Sequence, residues 1–326
     1  MRIIQTLLYT LLVVCIGTTT LCAKIHYVTV DGTGNGSSWL TAAADLRATL
    51  AAAKAGDQIW VAAGRYTPAR HDRAATFFIP TGVAVYGGFA GTETQIDERR
   101  PHQHRTILSG ELGRPGIADN SYTVVTFRSA DAQTILDGVT ITGGNADADA
   151  DSGQVQSSGG GLFNDAATGQ SQPRIVNCLF EYNEARNGGA VYNYGHAGVA
   201  APVFTNCIFR KNTADMDGGA VLNDGRDGGQ CNVVFTDCTF EENLATYGSA
   251  ICMSAGNRDS KVVLTNCLIS RNAALLWGGG LYGLLADQFE FELSYNQFVD
   301  NHPTNVNKRY QHSQPLDQQA VLQGNR

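Results

Sequence analysis

Charge is scarce in this sequence. Only 16% of the 326 residues are Asp, Glu, Lys or Arg, against about 25% in an ordinary soluble domain, which excludes a coiled coil built on Glu and Lys. Lys and Arg number 23 against 30 Asp and Glu, giving a net charge of −7. No cationic stripe is present to displace counterions from phosphates, so nucleic acid is excluded as the main partner. After the N-terminus, no apolar run approaches the ~20 residues of a transmembrane helix. The eight cysteines contain no C-x2-C pair, the usual unit of a structural zinc site. A 43% hydrophobic share with 9% aromatics excludes a disordered tail protein.

Glycine is abundant instead, with 37 residues, and the balance points to a turn-rich, mostly β, soluble chain. Its first segment reads as an address label. Arg2 precedes the short apolar run of residues 3–16, and small residues follow. That run is too short to cross a bilayer and fits a secretory signal peptide over residues 1–23, cleaved after Ala23. The rival reading acylates Cys22 as a lipoprotein, and Leu21 fits poorly before such a cysteine. Export leaves six cysteines, a number that ordinarily suggests disulfides.

Their spacing suggests a repeat. NCLFEYN (177–183), NCIFRKN (206–212), DCTFEEN (237–243) and NCLISRN (266–272) align without gaps, and GGAVYN (188–193), GGAVLN (218–223), GSAICM (248–253) and GGGLYG (278–283) follow them. Gly188, Gly218, Gly248 and Gly278 recur every 30 residues. Such a period suits helical hairpins or solenoid coils, and Gly pairs, Asn and β-branched or aromatic pairs reject the helices. The predicted fold is therefore all-β: a single-stranded, right-handed parallel β-helix over residues 24–305, whose like residues stack at the ~4.8 Å interstrand spacing. Phe180, Phe209, Phe240 and Ile269 form an inward column. Asn183, Asn212, Asn243, Asn272 and Asn301 form a ladder at a bend. Ala190, Ala220, Ala250 and Gly280 mark a tight wall. Cys178, Cys207, Cys238 and Cys267 are expected as stacked thiols filling the core, and Cys231 with Cys252 is the pair to expect if a disulfide forms. Residues 41–55 read as an α-helix capping the open N-terminal end, and 306–326 as a polar tail.

The stretches AAKAGDQIWVAAGRYTP (52–68), VYGGFAGTETQIDERRP (85–101) and TILSGELG (106–113) resemble the opening coils of secreted bacterial β-helix proteins with a pectate-lyase-like fold. The FxxN and GGA elements are similar to the repeats of polymorphic outer-membrane, adhesin-type proteins. The resemblance implies the fold. It leaves function open, because polysaccharide lyases, glycosidases and non-catalytic surface proteins share the scaffold.

Candidate sites follow from residue chemistry. Asp147, Asp149 and Asp151 alternate in a Gly-ended loop and suggest calcium, a hard cation that takes oxygen ligands; a solvated insertion is the plainer reading. Glu181, Arg210 and Glu241 share one repeat position and alternate in sign, as a stabilising charge ladder would. Arg210, Lys211 and Arg271 are the repeat-borne cations available as the base of a lyase. Asp215 and Asp217 are the close carboxylates available to a glycosidase. His71, His102 and His104 lie in early loops, where H-Q-H suggests either a metal or plain solvation. Trp277, Tyr282, Tyr192 and Tyr247, with Tyr182 and Tyr194 nearby, are placed to stack on sugar rings.

The favoured reading is a secreted or cell-surface, monomeric protein that binds a polysaccharide or surface glycan. A calcium-assisted lyase or hydrolase of acidic polysaccharide is the alternative, and a passive module of the cell envelope is the third. Calcium is the one cofactor suggested.

Overall fold

A computed structural model describes residues 23–309, except 115, 256–258 and 285–288. Residues 1–22 of the expected 1–23 signal peptide, with Cys15 and Cys22, and the end of the tail lie outside the described residues.

The chain winds as a parallel β-solenoid. From Arg174 onward each coil visits four sheets in turn. Arg174–Val176 joins an eleven-stranded sheet (the first), Leu179–Glu181 an eight-stranded sheet (the second), Glu184–Ala185 a five-stranded sheet, and Val191–Tyr194 another eight-stranded sheet (the third). Pairing between coils is parallel and in register, so Phe180 lies against Phe209, Phe209 against Phe240 and Phe240 against Ile269. Their rings stack at 4.9 Å (Phe180–Phe209) and 4.7 Å (Phe209–Phe240), a spacing imposed by the strands.

The corners explain the repeat. Asn177, Asn206, Asp237 and Asn266, each just before its cysteine, are left-handed with φ of 51 to 56°, where Asn and Asp are enriched. Tyr182, Lys211, Glu242 and Arg271, each just before its ladder Asn, are left-handed too, with φ of 53 to 56°. That conformation costs an ordinary residue about 1 kcal/mol or more, and the adjacent asparagine offsets it. Asn212 Nδ2 donates to Phe180 O (3.0 Å) and to Asn243 Oδ1 (3.0 Å), while its Oδ1 accepts from Asn183 N (3.1 Å) and Asn183 Nδ2 (3.0 Å). Asn243 and Asn272 repeat the pattern. Each buried amide is fully bonded, which burial requires.

A second ladder runs inside the third sheet. Asn164 donates to Asn193 (3.3 Å), Asn193 to Asn223 (2.7 Å), and Ser171 closes the end on Asn164 (2.6 Å). At the approach to this sheet the coils touch backbone to backbone. A Cβ on Gly189 would lie 2.4 Å from both Gly219 O and Thr213 O, and Ala190, Ala220 and Ala250 are wholly buried beside it.

All six described cysteines are free and buried. Cys178, Cys207, Cys238 and Cys267 fill the main core with Cys231, whereas Cys252 packs in a separate cluster outside the third sheet. Cys231 and Cys252 are therefore not paired.

Two boundaries differ from expectation. The helix is Leu46–Ala52, shorter than 41–55, because Asp45 caps it by accepting from Ala48 N (2.9 Å) and Ala43 is drawn into a bridge with Val28. Leu46 and Leu50 enter the main core. At the other end Val306–Arg309 pairs with Leu281–Leu284, so the solenoid runs beyond 305.

Replacing Asn243 by Leu should lower unfolding free energy by about 2–4 kcal/mol, because it strands several buried polar groups at once. Urea unfolding checks this; an unchanged midpoint would contradict the ladder's role.

Candidate functional site

Strand alternation creates an outer row on the third sheet. Val191 and Val221 face the core and Asn193 and Asn223 form its ladder, so Tyr192 and Leu222, one place along, face away. Phe163, Tyr192, Leu222, Cys252 and Tyr282 are in register across five coils and form one apolar cluster outside the solenoid. Asp165, Tyr194 and Asp224 form the adjoining outward column.

The first half of the row is covered. Ser152, in the acidic loop, lies 3.0 Å from the Tyr192 hydroxyl, Val155 packs on the cluster, and a Cβ on Gly153 would meet the Tyr194 ring at 2.6 Å. Tyr192 is consequently 0% exposed, which removes it from the expected sugar platform. The loop's carboxylates do not converge. Asp147 accepts from Arg73 (2.6 Å) and Asn145 (3.0 Å), and Asp149 pairs with Arg186 (3.0 Å). Guanidinium groups thus engage one oxygen each of Asp147 and Asp149, Asp151 is exposed, and no three His, Cys, Asp or Glu side chains gather as a metal cage among the described residues.

Beneath this loop lies a polar cluster that the repeat pattern conceals. Asp224, 0% exposed, receives Arg226 Nε (2.8 Å) and Nη2 (2.6 Å), and the Tyr192 hydroxyl donates to it in a short hydrogen bond. His196 Nε2 lies 2.9 Å from Asp224, and its Nδ1 lies 3.1 Å from Asp227. Burial pushes the Asp224 carboxyl up, but Arg226, His196 and Tyr192 together hold it well below the usual carboxylate range. Half-buried Asp217 goes the other way. Burial raises its carboxyl to about 6, Arg226 pulls it down, and the Asp224 charge pushes it up again. The sequence signs of this cluster are GHAG (195–198) and NDGRDGG (223–229), in which His196, Arg226 and Asp227 follow the strand ends and fall in no strand column.

The later members of the row are buried as well, and Tyr247 and Trp277, register partners on the adjoining five-stranded sheet, pack over its end. The Trp277 ring is 5.7 Å from Tyr247 and 6.4 Å from Tyr282, and Tyr247 is 5.4 Å from Tyr282. Trp277 is 40% exposed and Tyr247 half-buried, while Tyr282, at 3%, lies beneath them. Tyr282 supports the platform and does not reach its surface. Met216, Leu244, Leu275 and Leu276 extend the apolar surface beside it.

The cationic candidates lie elsewhere, on the second sheet and its corner. Arg210 pairs with Glu181 (2.6 Å), Arg271 with Glu241 (3.0 Å) and Glu242 (3.1 Å), and Lys211 with Glu242 (3.7 Å). Arg105 takes the other oxygen of Glu181 (2.9 Å). Asp215 is exposed and acts on Glu184, whereas Asp217 is coupled to Asp224, so the two have different surroundings. Lys211 lies over the exposed Tyr182 ring at 5.7 Å, and the Tyr194 ring lies 4.4 Å from His196. His71 is exposed, His104 half-buried, and His102 lines a separate cavity on the first sheet.

Asp217 makes stability pH-dependent. Its raised folded value means that the native state holds the proton more tightly than the unfolded chain. Its stabilising contribution is complete below the ordinary value near 3.9 and lost as pH rises through about 6. Asp217→Asn should therefore stabilise the protein by roughly 1–2 kcal/mol at pH 7.5 and have little effect at pH 4. Thermal melts at both values check this; equal effects would refute it.

No protein-family model matches the chain, and no curated protein sequence matches it. Among solved structures it is similar to a crystal structure of the pectate lyase Pel9A, with a TM-score of 0.55 and 19% sequence identity over 84% of this chain. The match spans 62% of the pectate lyase chain. At that identity the likeness speaks for architecture alone, and the architecture is a pectate-lyase-like parallel β-helix.

Proposed function

We propose that the protein is exported and binds a polysaccharide where the outer row of the third sheet meets the five-stranded sheet, with Trp277 and Tyr247 as the surface on which sugar rings stack. One observation carries this reading: an aromatic group held rigidly from below by Tyr282 and left open to solvent, while the earlier aromatics of the Tyr282 row are roofed by the 147–158 loop. Sugar rings present apolar C–H faces that suit such a platform, and polar groups at its margin bond the hydroxyls. Asp217 supplies such a group, since its strand residue bridges to Tyr247.

The geometry favours binding over β-elimination of a uronate. A lyase needs a cation to neutralise the substrate carboxylate and a base to remove the adjacent proton. Arg210, Lys211 and Arg271 are tied to glutamates on another face, and the expected calcium loop is tied to arginines.

Trp277→Ala should weaken binding on a glycan array tenfold or more, as truncation of a central aromatic anchor costs about 2 kcal/mol, with the melting temperature nearly unchanged. Binding that survives the substitution would overturn the site. Absence of binding to every glycan would leave a passive module, and ultraviolet-absorbing unsaturated products from a uronate polymer would establish the lyase.

A further inference from the structure

A cavity lies on the first sheet, away from the third. Tyr86 and Asp137 are register partners on neighbouring strands there. After the strand Ala84–Phe89 the chain leaves the first sheet and enters the second at Thr106, and this excursion walls a cavity of about 490 Å³ against Tyr86, Asp137 and Asn177. That size falls in the range of small-molecule sites, about 300–1,000 Å³.

The excursion is internally braced. Glu93 accepts from the backbone of Ala90, Gly91 and Thr92, Gln95 and Glu98 form a capping box, and Arg100 donates to three carbonyls of its own turn. Pro101 abuts Gly88 so closely that a Cβ there would meet it at 2.7 Å. A loop held at this many points keeps its cavity open before a ligand arrives, which lowers the ordering cost of binding.

The lining has two kinds of surface. Tyr86, Ile96 and Pro101 are apolar. Asp97 and His102, both exposed, line it too, and neither side chain has a hydrogen-bond or ion-pair partner among the described residues. The one guanidinium is spent, because Arg99 grips Asp137 with two nitrogens and Asn177 bonds the same carboxylate at 2.9 Å. Arg99 and Asp137 cancel, and Asp97 leaves the lining with a negative charge. An anionic ligand would meet that charge with no unpaired guanidinium in the lining to offset it; Arg174, on the strand beyond Asp137, acts on Tyr86 from outside the lining. A hydroxyl-rich, uncharged ring with an apolar face matches both kinds of surface.

We propose that this cavity is a binding site for one unit of a neutral saccharide and that it discriminates against uronic acids. Asp97 and His102 bond ring hydroxyls, and the Tyr86–Pro101 wall packs on the C–H face. The site is independent of the Trp277 platform.

Saturation-transfer NMR and calorimetry on the full chain, with glucose, galactose, xylose and their disaccharides against glucuronate and galacturonate, test it. Neutral sugars should bind, His102→Ala and Tyr86→Ala should each reduce affinity fivefold or more, and Trp277→Ala should leave it unchanged. Because Tyr86 belongs to a strand, the exposed loop variants His102→Ala and Asp97→Asn decide the matter if Tyr86→Ala unfolds. Asp97→Asn should raise uronate affinity towards that of the neutral sugars. Uronates bound as tightly as neutral sugars by the unaltered protein would overturn the assignment. So would neutral-sugar binding indifferent to His102 and Asp97, or no binding at all. Loss of that binding in Trp277→Ala alone would move it to the Trp277 platform.

Discussion

The molecule depends on the hydrogen bonds of its stacked corner asparagines. A parallel solenoid must turn its backbone sharply inside every coil while keeping each strand level with the one below. Here the turn is made by left-handed residues that are not glycine, among them Tyr182, Lys211 and Arg271. The next side chain along, an asparagine, bonds the corner to the coils on both sides. Because every ladder amide is used in full, shifting one coil by a residue would break several buried bonds together, and register is strongly specified. The outward rows inherit that register. Tyr247, Trp277 and Tyr282 meet only because Asn212, Asn243 and Asn272 hold their coils level.

Much of this was legible in the sequence because periodicity exposes it. The Phe, Asn and Ala columns are visible as repeats, and a stack of like side chains is the direct consequence of parallel, in-register coils. The interior ladder of Asn164, Asn193 and Asn223 obeys the same logic but was overlooked, because each asparagine ends a GGA-type stretch and reads as the close of a strand. The helix was overestimated because alanine-rich sequence favours helix over the whole of 41–55, whereas Asp45 and the Val28–Ala43 bridge set its start.

The candidate sites were less legible, and the reason is also physical. Alternation assigns Tyr192 to the outer face, but only the path of a non-repeating loop decides whether that face meets water. Ser152 and Val155 of the 147–158 loop lie against Tyr192 and its row, so Tyr192 is buried, whereas Tyr247 and Trp277, on the five-stranded sheet beside that row, keep exposed surface. In the same way His196 and Arg226 lie in the turns after the strands Val191–Tyr194 and Val221–Gly225, and nothing in a repeat alignment brings the two together beside Asp224.

Electrostatics ties the parts together. Charges that share a repeat position stand one coil apart, close enough to pair, so the solenoid consumes its own cations: Arg210 on Glu181, Arg271 on Glu241 and Glu242. Arginines outside the repeats are consumed as well, Arg99 on Asp137 and Arg226 on Asp224. What remains at both candidate sites is carboxylate, Asp217 beside the aromatic platform and Asp97 in the cavity. A surface so arranged repels a polyuronate at long range, an effect strengthened by the net charge of −7. It imposes no such penalty on a neutral chain, whose recognition rests on stacked rings and hydroxyl bonds. The chain shares its scaffold with a pectate lyase, and the sign of the charge left uncompensated on that scaffold is the physical basis of the proposal that it takes a neutral glycan.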